Sequence, residues 1–165
     1  MEALTAGSKA PEFELKAMDG NRFVLRDELA RGPLVLAFLK VSCPTCQYAF
    51  PFLERLERAY GHKGVRIIGV SQNDPKDTAA FTKEFGVTFP VLLDDTDKYP
   101  VSNAYGLTNV PTVFWIAQNR EIEVSSVGWV KAEFEEIGRK MAESANTTPA
   151  VLFKPGEDVR DFRAG

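Results

Sequence analysis

Two cysteines three residues apart stand where an apolar run ends and a helical pattern begins. The run is Leu34-Val35-Leu36-Ala37-Phe38-Leu39, and it leads into Ser42-Cys43-Pro44-Thr45-Cys46. An unbroken apolar stretch of strand length suits a strand buried on both faces. Beyond it, Cys46, Phe50, Leu53, Leu56 and Tyr60 recur at helical spacing, and Gly61 stops the pattern. A buried strand that feeds directly into an amphipathic helix calls for a layered α/β architecture. Pro51 falls inside this helix and predicts a kink.

The remaining punctuation extends that architecture. Phe13-Glu14-Leu15 and Phe23-Val24-Leu25 alternate around Asp19-Gly20-Asn21, which reads as an N-terminal β-hairpin. Asp27 to Arg31 predicts a short helical turn, and Val65 to Val70 a second buried strand. Asp74-Pro75 opens a helix that Gly86 closes. Pro90 to Leu93 is a short strand, Tyr99 to Tyr105 a short helix, Thr112 to Ile116 a strand and Glu121 to Val127 its return. Phe134, Ile137, Gly138 and Met141 mark one face of a last helix. The order predicts one α/β domain over residues 1–145 with a mostly parallel sheet and one antiparallel edge. Residues 146–165 read as a C-terminal tail. Within it Val151-Leu152-Phe153 can dock on the body, while Pro149 and Pro155 argue against regular structure.

Net charge is −3, so no basic footprint for nucleic acid is present. No stretch approaches the length of an apolar membrane span, and no membrane partner is expected. The first residues lack both a basic start and an apolar segment, which leads to the expectation of a cytoplasmic protein without a signal peptide; a chain trimmed of its leader would read the same. The tail can cover the site or pair with another chain, so monomer and homodimer both stay open.

Two cysteines can form a structural bridge, a metal half-site or a redox couple. Zinc needs about four ligands, and the only histidine, His62, falls at the far end of the helix. No metal and no cofactor beyond a redox-active disulfide is therefore expected. At a strand-to-helix junction the first helical N–H groups point outward unpaired and favour negative charge. Cys43 is thus the expected nucleophile, with a lowered pKa. Cys46, one turn on and at the head of the apolar stripe, is the expected resolving thiol. Lys40 is the nearest cation in sequence and a candidate stabiliser of the Cys43 thiolate, though a solvated strand-end lysine is the plainer reading.

These features together resemble the thioredoxin superfamily, in its branch of TlpA-like oxidoreductases and AhpC/TSA redoxins. The resemblance rests on the strand entering Cys43-Pro44-Thr45-Cys46, on Pro51 five residues after Cys46, on Val110-Pro111-Thr112 before a strand, and on the final ββα. It covers about residues 4–144. It implies a thioredoxin-like three-layer α/β/α sandwich with a central mixed sheet and an N-terminal β-hairpin. It also implies a cis Val110-Pro111 bond, with Val110, Pro111, Pro44 and Thr45 meeting the substrate. The implied activity is thiol–disulfide exchange with a disulfide or dithiol protein and an unidentified reductant.

Two positions depart from the family pattern. Ala37 and Ala49 stand where relatives carry acidic residues, so the usual proton acceptor for Cys46 is missing. The threonine and proline that precede a peroxidatic cysteine are absent in either register, since Lys40 and Leu36 precede Cys43 at those spacings. A thiol peroxidase remains the first alternative and a non-catalytic redox sensor the second. Asp94, Asp95 and Asp97 read as a solvated acidic loop, and Trp115 and Trp129 as packing residues.

Overall fold

The computed structural model describes residues 2–165. Seven strands form one mixed sheet in the order β2-β1-β5-β4-β3-β6-β7. The central strand is β3 (Leu34–Leu39), fully buried along its length. It pairs in parallel with β4 (Arg66–Ser71) and antiparallel with β6 (Thr112–Ile116). Beyond β6 lies β7 (Ile122–Val127), and beyond β4 lies β5 (Val91–Leu93), parallel to it.

The N-terminal hairpin, β1 (Glu14–Ala17) and β2 (Arg22–Val24), joins the free side of β5 antiparallel. Both edges of the sheet are therefore antiparallel, where the sequence predicts one. The short helix α1 spans Leu25–Leu29, two residues earlier than expected, because Leu25 and Leu29 are the positions that bury. The flanking helices α2 (Pro44–Tyr60), α3 (Pro75–Phe85) and α5 (Lys131–Ser144) complete a thioredoxin-like sandwich around the sheet.

Helix α2 carries the predicted stripe inward: Cys46, Ala49, Phe50 and Leu53 are all fully buried. Phe50 packs edge-on against Phe81 of α3 and beside Phe89. Pro51 lies within α2 without ending it. Helix α4 (Pro100–Ala104) precedes Tyr105, whose ring meets Phe38 and Phe114.

Asp94 corrects the reading of a solvated acidic loop. It is 3% exposed, and its carboxylate accepts from the amides of Val101 and Ser102 and from the Ser102 hydroxyl. A carboxylate at a helix start satisfies donors that have no intrahelical partner. Asp95 and Asp97 are exposed as expected.

The tail runs back over the body. Arg55 of α2 holds Glu157 through paired hydrogen bonds of 2.7 and 2.6 Å and also donates to the Leu152 carbonyl. Leu152 is buried, and Phe153 packs on Phe52 and Trp129. Despite its prolines the tail forms a strand, β9 (Phe162–Arg163), antiparallel to β8 (Trp129–Val130). No helix among the described residues is long and apolar enough to cross a membrane.

Candidate active site

Strand β3 ends against its neighbours, and the chain must turn before α2 begins. The turn is fixed by hydrogen bonds: the Val41 amide donates to Asn73 Oδ1 at 2.9 Å, and Gln47 Nε2 donates to the Val41 carbonyl at 3.0 Å. The Cys43 amide donates to the Lys40 carbonyl at 3.1 Å. Cys43 then caps α2, its Sγ accepting from the Cys46 amide at 3.2 Å, with Pro44 in the first turn. A proline there loses no hydrogen bond, because that N–H would be unpaired in any case.

The two cysteines are free thiols with opposite surroundings. Cys43 is half-buried and Cys46 fully buried. The Cys43 pKa falls from 9.0 to about 6, chiefly because the Cys46 side chain hydrogen-bonds to it. Burial opposes the fall; the amides of Cys46 and Thr45 and the charge of Arg163 assist it. Burial, first, and then the hydrogen bond to Cys43 hold Cys46 far above its ordinary value.

The segment before β6 faces these thiols. Its Val110-Pro111 peptide bond is cis. The Cys43 thiol donates to the Val110 carbonyl at 3.3 Å. Thr112 Oγ1 donates to the Asn109 carbonyl at 2.8 Å and ties the segment to the strand. A cavity of about 410 Å³ opens beside Cys43, lined among others by Lys40, Pro44, Gln72, Asn109 and Val110.

The fold thus brings Cys43, Cys46, Pro44, Val110 and Pro111 to one place. Thr45 differs: its side chain is buried, and its hydroxyl donates to the Ala164 carbonyl at 2.6 Å, away from open solvent. Lys40 lines the cavity with an exposed side chain, but the cation that lowers Cys43 is Arg163. The tail places Arg163 there by pairing β9 with β8, and its guanidinium lies 5.5 Å from the centre of the Tyr48 ring. No periodicity or motif in residues 157–165 marks Arg163, Ala164 or Gly165 as neighbours of the cysteines; only long-range packing does. His62 is exposed at the distal end of α2.

Residues 6–125 match the AhpC/TSA family. The chain belongs to that family. Among its relatives, the thiol-disulfide oxidoreductase ResA of Bacillus subtilis (strain 168) is 34% identical over 157 residues, 94% of this chain and 80% of that protein. ResA of Geobacillus thermodenitrificans is 33% identical over 132 residues, 79% of this chain and 74% of its own length. The crystal structure of a DsbE thiol:disulfide interchange protein from Chlorobium tepidum superposes with a TM-score of 0.74 at 26% identity, covering 87% of this chain and 99% of that one.

This AhpC/TSA member is a thiol–disulfide oxidoreductase. Enzymes of this kind work through redox-active cysteines without a further cofactor. The expectation of a cytoplasmic protein does not stand, because the ResA and DsbE relatives are membrane-anchored and extracytoplasmic. The composition of the first residues does not by itself fix a compartment.

Proposed function

We propose that Cys43 is the attacking thiol and Cys46 the resolving thiol of the exchange. The observation that carries this reading is the asymmetry of the pair: one thiol is accessible and acidic, the other buried and held neutral. Cys43 loses its proton above about pH 6 and attacks a substrate disulfide. One substrate sulfur bonds to Cys43, and the other leaves as a thiol. Cys46 then loses its proton and attacks Cys43, the second substrate thiol departs, and a Cys43–Cys46 bridge remains. The substrate disulfide gains two electrons and the dithiol gives them up.

Two features support this sequence. The protonated Cys43 thiol uses the Val110 carbonyl as its acceptor, so deprotonation frees that carbonyl for a main-chain donor of the substrate. Two of the three causes that raise Cys46 belong to Cys43 itself, its hydrogen bond and its charge. Both vanish once Cys43 is locked in a mixed disulfide, so the Cys46 pKa falls at the stage where Cys46 must attack, although burial, the largest cause, remains. This coupling eases deprotonation where Ala37 and Ala49 offer no base and the buried Glu54 is committed to Thr88 by hydrogen bonds of 2.8 and 2.7 Å.

Thiolate trapping tests the assignment. Alkylation of the reduced protein is expected to rise with pH and reach half its maximum near pH 6. Cys46→Ser is expected to accumulate a mixed disulfide through Cys43, and Cys43→Ser to lose exchange altogether. A mixed disulfide held by Cys46 in the Cys43→Ser protein would reverse the roles. A peroxidase is the second reading, favoured by the same acidic thiolate. Peroxide consumption faster than disulfide exchange would establish it.

A further inference from the structure

The end of the tail lies where a substrate's main chain would have to lie. Gly165 packs directly on the Val110 peptide: a Cβ added to Gly165 would run into the Val110 carbonyl oxygen and come within 3.3 Å of Asn109 Cβ. The Ala164 carbonyl accepts from Thr45 Oγ1. Thr45 and Val110, both implied as substrate-contacting by the resemblance, are therefore already occupied by Ala164 and Gly165.

The way this segment is held differs from the way the core is held. Asp161, Phe162, Ala164 and Gly165 are exposed, Phe162 by 62%. Their attachment is through main-chain groups. β9 pairs with β8, the Lys131 amide donates to the Asp161 carbonyl at 2.9 Å, and Trp129 Nε1 donates to the Arg160 carbonyl at 2.6 Å. Backbone pairing along a short edge is the interaction that any other extended segment can reproduce. A segment that buries little apolar surface also detaches at low cost. The cavity of about 410 Å³ beside Cys43 stays open, with Gly165 as one of its walls.

We propose that residues 161–165 form a displaceable strap that stands in for the substrate strand, and that an extended segment of a disulfide-bearing protein must displace it to reach Val110. Small disulfides use the open cavity and need no displacement. The enzyme therefore discriminates between protein and small-molecule disulfides by the work of lifting the strap. The proposal rests on the reading of Cys43 as the attacking thiol beside Val110.

The test compares reduction of insulin with reduction of a small aromatic disulfide, using the reduced full chain and two variants. One variant ends at Arg160. The other is Gly165→Val, which keeps the tail but forces its end away from Val110 without touching the fold. Measurement near pH 9 keeps Cys43 ionised whether or not Arg163 is present. If the strap is lifted about a tenth of the time, the ratio of the insulin rate to the small-disulfide rate should rise roughly tenfold in both variants. A peptide of residues 157–165 added to the shortened protein should bring the ratio back down. An unchanged or lower ratio in both variants overturns the strap. Small-disulfide exchange that survives Cys43→Ser overturns the underlying assignment instead, and the strap with it.

Discussion

Cys43 owes its acidity to several small donations, and their order is testable one residue at a time. The Cys46 side chain acts most strongly and Arg163 least among the causes that lower it. Cys46→Ala should therefore raise the Cys43 pKa more than Arg163→Gln does, Arg163→Lys should largely preserve it, and Lys40→Gln should leave it in place. Alkylation rate against pH reads all four. Because the folded value lies below the ordinary 9.0, Cys43 contributes stability to the reduced protein above pH 9. That contribution is lost as the pH falls from 9 toward 6. Thiolate stabilisation favours the reduced state, so a variant that raises the Cys43 pKa should also be a weaker oxidant.

At the scale of elements, the site stands on two junctions. One is the β3-to-α2 turn, where helix capping and thiolate stabilisation are the same interaction: the Cys46 amide donates to Cys43 Sγ. The other is the chain from α4 to the cis Val110-Pro111 bond, and Asp94 anchors its beginning. Asp94→Ala leaves the Val101 and Ser102 amides and the Ser102 hydroxyl without their buried acceptor. A loss of about 1–3 kcal/mol in unfolding free energy is expected, measured by urea denaturation. Asp94→Asn keeps an acceptor and should lose less. The sequence marks the Asp94-Asp95 pair, but charge alone cannot separate a buried helix anchor from a solvated loop. The difference lies in which donors the fold brings within reach.

At the scale of the molecule, the tail makes the C-terminal residues part of the redox face. Its anchor is the Arg55–Glu157 pair, which ties it to α2. The Arg55 guanidinium, by hydrogen bond first, pulls the Glu157 carboxyl from 4.5 down to about 2. A depressed carboxyl contributes stability above its unfolded value. That contribution should be present above pH 4.5 and disappear as the pH falls toward 2. Arg55→Ala should loosen the tail at neutral pH as well. Amide exchange at Lys131, whose N–H is bonded to Asp161, should quicken in that variant while the amides of β3 keep their protection. Equal exchange at Lys131 in both proteins would show that β9 holds without this anchor.

The local and periodic features were legible in the sequence. Strand β3, helix α2, the hairpin, the order of strands and helices and the Cys43–Cys46 pair follow from apolar patterning and from where proline and glycine interrupt it. The cis Val110-Pro111 bond came from resemblance, because a single proline does not display its isomer. What the sequence did not contain was the tail's course. Residues 157–165 have no stripe and no motif, and their partners Tyr48, Thr45, Val110 and Trp129 stand about 31 to 119 residues away in the chain. Contacts of that separation are selected by the finished surface of α2 and β8, which exists only after the sheet has closed. Local patterning thus determined that the chain places an acidic thiol over a buried one at the head of a helix. Tertiary structure alone decided which cation serves that thiol and which segment lies against the Val110 peptide, because both depend on backbone pairing between distant parts of the chain.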